Sequence, residues 1–203
     1  MKVKQSSYVF KVFALSFICF LSTNAEIKLK WLNAFDSNDL IAAKDVFLES
    51  FNKSYGQIYT DGMIEVTNGK MKVDEFLNKV AEEDFTTFAR KLGDSNFHFV
   101  VAKDEEKIVG FAMFTKDEKE EDEVYYIEHQ AVSSDSWGNG IGKQLVLSII
   151  SKVDNINKIA LVTRTKNEPA IKLYKKMGFM QTNYEHVGLN PDIYAGYELE
   201  ITK

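Results

Sequence analysis

Residues Tyr125 to Leu145, YYIEHQAVSSDSWGNGIGKQL, constrain this chain more than any other stretch. A strand pattern runs into a turn with Gly138, Gly140 and Gly142, and the turn opens directly onto a helical pattern. Glycine leaves the backbone free of Cβ atoms, so successive N–H groups can turn inward, and a helix that starts there adds the positive end of its dipole. An anionic ligand is the first reading of such a turn. A glycine-rich surface turn is the second, and the motif alone does not separate them.

The remaining elements are legible around it. Glu26 to Leu32 suggests a first strand. Leu40, Ala43, Phe47 and Phe51 recur at helical spacing behind a cap at Asp36 or Ser37. Phe51 to Gly69 reads as irregular, ends in the turn signal Asn68-Gly69, and is expected to border a pocket. A second helix is expected from Val73 to Leu92, with acids in its first turn, Arg90 and Lys91 in its last, and an aromatic-rich face that belongs to the core. Phe97 to Ala102 and Ile108 to Phe114 form a hairpin. The acidic run Asp117 to Glu123 solvates a loop before the strand Val124 to Val132.

Beyond the glycine turn, a helix marked by Ile141, Leu145, Ile149 and Val153 leads to the strand Ile159 to Thr163, a unit expected to be parallel. The segment from Asn167 to Phe179 announces a helix at both ends, with Asn before it, Pro169 in its first turn, late lysines and Gly178 at its close. Phe179 to Val187 and Tyr194 to Ile201 complete the chain as strands. The sum is an α/β fold: a mixed central sheet of about six or seven strands flanked by four helices.

The first 25 residues read differently. Lys2, Lys4 and Lys11 precede the apolar run Val12 to Leu21, and Thr23-Asn24-Ala25 offers small residues at a cleavage point. This is the pattern of a secretory signal peptide, too short to span a bilayer, so residues 26–203 are expected as a single exported domain, cytoplasmic if the signal does not function. Cleavage after Ala25 would leave 22 basic against 30 acidic residues, a net charge of −8. That balance disfavours nucleic acid and mildly favours cationic substrates. Cys19, the sole cysteine, lies in the signal pattern, which removes disulfides and thiolate chemistry from the mature chain. His98 and His186 show no metal-ligand spacing, and no metal is expected.

Two nucleotide motifs fail at the glycine turn. A Walker loop needs glycine and a hydroxyl where Trp137 and Gln144 stand, and a dinucleotide fingerprint needs glycine where Lys143 stands. What fits is a combination: Ile127-Glu128-His129-Gln130-Ala131-Val132, then Trp137-Gly138-Asn139-Gly140-Ile141-Gly142-Lys143, then Asn167-Glu168-Pro169-Ala170 with Leu173-Tyr174 and Gly178-Phe179. From Glu26 onward the chain resembles the GNAT superfamily of N-acetyltransferases in element order, and the two motifs at their spacing are far more specific than the turn alone.

The resemblance implies acetyl-CoA as co-substrate and a role for each matching residue. The backbone of Gly138, Asn139, Gly140, Ile141, Gly142 and Lys143 would hold the pyrophosphate, with a helix N-terminus behind it. Gln130, Ala131 and Val132 would offer backbone groups to the pantetheine arm, Asn167 would contact the same arm, and a backbone N–H near Val132 would hold the oxyanion. Tyr174 matches a proton donor to the departing thiolate, and Glu128 matches the base that frees the acceptor amine. On strict alternation Tyr126, Glu128, Gln130 and Val132 share one face, which leaves His129 on the other in a structural role. Trp137 departs from the family, which usually has Gln or Arg there; weakened phosphate binding is expected.

Direct transfer to an amine, either small and polyamine-like or a peptide lysine, is therefore the expected activity, with no covalent enzyme intermediate. An exported, non-catalytic CoA- or amine-binding module is the alternative. Phe51 to Gly69 and Tyr184 to Tyr194 would line the acceptor side. No membrane span is expected after cleavage, and a homodimer is left open.

Overall fold

The computed structural model describes residues 26–66, 69–118, 123–183 and 189–201. The expected signal peptide, His186 and the far end of the strand expected to reach Val187 lie outside the described residues. In chain order the elements are β1 (Lys28–Trp31), α1 (Ser37–Ile58), the hairpin β2 (Met63–Val66) and β3 (Gly69–Lys72), α2 (Val73–Lys91), β4 (Phe97–Asp104), β5 (Lys107–Lys116) and β6 (Val124–Val132). There follow a short 3-10 turn (Ser134–Ser136), α3 (Ile141–Lys152), β7 (Lys158–Arg164), α4 (Glu168–Met177), β8 (Met180–Thr182) and β9 (Tyr194–Glu200).

Seven strands form one sheet in the order β1-β4-β5-β6-β7-β9-β8, all neighbours antiparallel except β6 and β7. The expected mixed sheet with four flanking helices is the observed architecture. Alternation along the strands divides the core. Phe97, Phe99 and Val101 of β4 with Phe111 and Met113 of β5 pack under α1 and α2; Val100, Ala102, Ala112 and Phe114 pack under α3. Eleven of the chain's fifteen phenylalanines lie in residues 26–203, and they make the first face dense in ring contacts: Phe85 touches Phe47, Phe88, Phe99 and Phe111.

One local expectation is corrected. The stretch after Phe51 is not irregular: α1 continues to Ile58, and Met63–Val66 is a strand. Phe51, Tyr55 and Tyr59 follow at intervals of four, so they stack along one side of the helix, with centroids 5.5 and 5.8 Å apart, and Tyr55 and Tyr59 are buried. That burial outweighs the roughly 1 kcal/mol that Gly56 costs in a helix interior.

Candidate functional site

The site begins where the sheet opens. β6 and β7 pair only over Val124, Tyr125 and Tyr126 with Lys158, Ile159 and Ala160. Beyond Tyr126 the two strands part, although β6 stays paired with β5 as far as Val132 and β7 with β9 as far as Arg164. The β6 edge from Ile127 onward therefore presents strand N–H and C=O groups to a gap instead of a neighbour, and such groups need partners. A cavity of about 510 Å³ fills the gap, and Glu128, Gln130, Asn167 and Tyr174 line it together.

The glycine turn is tied to this cavity through Gln130, a wall residue whose amide reaches the Gly142 carbonyl. Gly140 caps α3 with φ 75°, a left-handed conformation natural to glycine, and no side chain satisfies the helix N-terminus. Gln144 is the first residue to close a bond back, to the Gly140 carbonyl at 3.1 Å. The N–H groups of Ile141, Gly142 and Lys143 thus precede the first helical bond, and the first turn holds no acid to repel an anion. Gly142 is where a side chain would collide: a Cβ there would lie 2.9 Å from Gln130 Nε2. The bare Cα of Gly142 makes room for the Gln130 amide, while free donors and a helix dipole suit a pyrophosphate.

Gln130 also holds this turn to α4. Its Nε2 donates to the Gly142 carbonyl at 2.7 Å and its Oε1 accepts from the Tyr174 hydroxyl at 3.0 Å. The side chain therefore has a role beyond the backbone contacts expected of Gln130. Burial pushes the Tyr174 phenol well above the ordinary tyrosine value, so it keeps its proton at neutral pH. Asn167 caps α4 by accepting from the Ala170 N–H at 3.4 Å. Trp137 staples the turn: its indole N–H donates to the Val132 carbonyl at 2.6 Å, and Lys53 of α1 sits 5.5 Å from the ring while bonding Ser134 Oγ at 2.8 Å. A cation thus stands beside the position where the family usually has Gln or Arg.

The strand itself departs from strict alternation. Met113 pairs with His129 and Phe114 with Ile127, so Glu128 has no partner on β5 and forms a bulge. The extra residue resets the faces. Tyr125 and Ile127 share the α3 side with Val132, whereas Ala131 packs under α1 and α2. Tyr126 and Gln130, expected on one face, are on opposite faces. Burial first and the Glu128 charge second hold the Tyr126 phenol well above its usual value, which places that carboxylate's field inside the cavity.

The cavity is also lined by residues that sequence reasoning gave no role or set aside. His129 lines the wall, with Nε2 2.7 Å from Asp84 Oδ2 on α2. Arg164, only 3% exposed, lies between the rings of Tyr55, Tyr59, Phe76 and Tyr194 at 4.9–5.9 Å, and donates to the Tyr59 hydroxyl and the Glu65 carbonyl. Lys166 pairs with Glu65 and holds its carboxyl below the usual range. The two segments expected on the acceptor side both reach the cavity, through Tyr55, Glu65 and Val66 from one and Asn190, Ile193 and Tyr194 from the described part of the other. One signal for Asp84 was present: an acid four residues after Val80 and four before Phe88 interrupts the apolar face of α2. His98 is elsewhere, edge-on to Trp31, and among the described residues no three His, Cys, Asp or Glu side chains cluster as metal ligands.

Comparison with known proteins agrees with this geometry. Residues 68–179 match the family described as "Acetyltransferase (GNAT) family". An uncharacterised protein of Mycobacterium leprae is 32% identical over 107 residues, covering 53% of this chain and 28% of that one, so the chain matches little more than a quarter of its relative. The fold is that of the PaiA N-acetyltransferase of Thermoplasma acidophilum, solved in complex with coenzyme A: TM-score 0.66 at 17% identity, over 87% of this chain and 99% of that one. The ribosomal-protein-S18-alanine N-acetyltransferase of Escherichia coli superposes with a TM-score of 0.58 at 17% identity, over 88% and 96% of the two chains.

Proposed function

The chain belongs to the acetyltransferase (GNAT) family, and from that premise we propose that it is an acetyl-CoA-dependent N-acetyltransferase that moves an acetyl group directly to an amine. The observation that carries this reading is the parting of β6 and β7 beyond Tyr126 and Ala160. It opens a cavity that holds a carboxylate and a protonated phenol, and Gln130 on its wall reaches the N-terminal turn of α3.

Acetyl-CoA would supply the activated acetyl thioester. The backbone from Gly138 to Lys143 would hold its phosphates, with Gln130 keeping Gly142 and Tyr174 in register. Tyr174 gives a proton to the departing thiolate, an act for which a phenol that stays protonated at neutral pH is suited. Glu128 is the carboxylate that an acceptor ammonium meets and the first candidate to take its proton. Among the described residues Asp84, Glu128 and the Lys166-paired Glu65 line the cavity against the Arg164 guanidinium, a balance that favours a cationic acceptor, either a small polyamine-like molecule or a lysine-bearing peptide.

The test is acetyl-CoA consumption by the purified protein against polyamines, aminoglycosides and lysine peptides, with CoA binding followed by calorimetry. Transfer to at least one class with CoA bound below millimolar concentration is expected. Absence of CoA binding at millimolar ligand would sink the reading, and CoA binding without turnover would favour the non-catalytic module. Export through residues 1–25 is a separate proposal, checked by mass spectrometry of the exported protein's N-terminus.

A further inference from the structure

The bulge at Glu128 leaves a second titratable group on the cavity wall, one the reaction outlined above does not use. His129 is one-fifth exposed, and its Nε2 lies 2.7 Å from Asp84 Oδ2. An ionised carboxylate only accepts hydrogen bonds, so Nε2 carries the proton and a neutral ring keeps its lone pair on Nδ1. The ring is clamped. α1 faces it with Phe47 and Phe51, centroids 5.1 and 6.2 Å away, and α2 faces it with Phe88 at 5.9 Å and with Asp84. β5 offers its register partner Met113, and Glu128 lines the same cavity beside it.

We propose that His129, positioned by Asp84, is the proton acceptor for the incoming amine, and that Glu128 remains ionised as the counter-charge that binds the ammonium. This rests on the acetyl-transfer reading and changes the base within it. The ammonium N–H bond breaks with its electron pair left on nitrogen, and a new N–H bond forms at His129 Nδ1. Asp84 stabilises the imidazolium across the 2.7 Å contact, and the proton then leaves to water as His129 resets. The amine is thereby free to attack, and its second proton balances the one that Tyr174 gives to the thiolate. Asp84 acts on the reaction only through the ring it bonds, so it is a positioning residue.

Steady-state rates against pH with the best amine acceptor test the assignment. His129→Gln should lower kcat about 100-fold and remove the acid limb of the profile, with CoA binding by calorimetry unchanged as the control for folding. Asp84→Asn should lower kcat less than His129→Gln and loosen the preference of the His129 ring for the Nε2–H tautomer, because the partner that fixes the ring is altered. Glu128→Gln should raise the acceptor KM at least tenfold and leave the acid limb in place. If His129→Gln keeps kcat within twofold while Glu128→Gln abolishes the limb, Glu128 is the base and the inference falls while acetyl transfer stands. If the native protein transfers acetyl to no amine, both fall. Independently of turnover, nitrogen-15 NMR of the histidines should show His129 as the Nε2–H tautomer; an Nδ1–H signal would overturn the dyad.

Discussion

On the glycine-turn side, most ligand-facing groups come from one continuous stretch, Gln130 to Lys143, and many are backbone atoms. On the other side of β6 they are side chains drawn from α1, β2, α2, β7 and β9. Arg164 reaches its partners Tyr59 and Glu65 across 105 and 99 residues of sequence. On the proposed reading, the difference follows from what each half would bind. A pyrophosphate offers only oxygen acceptors, which a helix N-terminus satisfies without a particular side chain. An acceptor amine must be oriented, neutralised and deprotonated, and these acts need distinct side chains brought together in space.

If the halves are separately built, each should fail separately. The largest expected effect is at Arg164. A buried guanidinium costs several kcal/mol to desolvate, which four ring faces and two hydrogen bonds offset here. Arg164→Met should remove the tie between β7 and the β2–β3 hairpin and cost about 3 kcal/mol in denaturant unfolding. CoA affinity of the folded variant should stay within twofold; a parallel loss of CoA binding would break the comparison.

Next in size is Tyr174→Phe, expected to lower kcat about 100-fold at constant CoA affinity. The same hydroxyl gives a stability signature. Burial raises the phenol in the folded state, so its contribution is intact below about pH 10, where the unfolded chain would begin to ionise, and is lost as the pH rises further. Thermal melts should therefore fall above that pH, and the variant should flatten the fall by up to about 1.4 kcal/mol per pH unit. Turnover unchanged across pH would remove Tyr174 from the chemistry.

Gly142→Ala tests the turn. The new Cβ, 2.9 Å from Gln130 Nε2, should push the amide off the Gly142 carbonyl and off Tyr174, weakening CoA about tenfold by calorimetry while the acceptor KM holds. The smallest effect is expected at Trp137→Gln: loss of the bond to the Val132 carbonyl should cost about 1 kcal/mol, with CoA affinity within threefold because backbone donors dominate that end. A larger drop in affinity would make the Trp137 and Lys53 pair part of the phosphate site.

Much of this was legible in order along the chain. The hairpin β4–β5, the capped helix α4 and the glycine turn each carry local signals, since periodicity, caps and glycine conformations are properties of a few neighbouring residues. The hairpin β2–β3 was not, because Asn, Gly and Asp around it read as loop and its strands are only four residues each. Alternation also misled at Glu128: one unpaired residue reversed the face of everything after it, and a bulge depends on the partner strand, which sequence does not display.

The sequence by itself determined the half proposed to hold the cofactor: a strand, three glycines, a helix and the Asn167–Tyr174 motif, each a pattern of near neighbours. Tertiary structure alone decided the acceptor half. Asp84 is 45 residues from His129, and no periodicity connects them; they meet because the bulge turns His129 to the side of the sheet on which α1 and α2 pack. Backbone sites are written locally because neighbouring peptides make them, whereas a site made of converging side chains exists only once the core beneath it has set their positions.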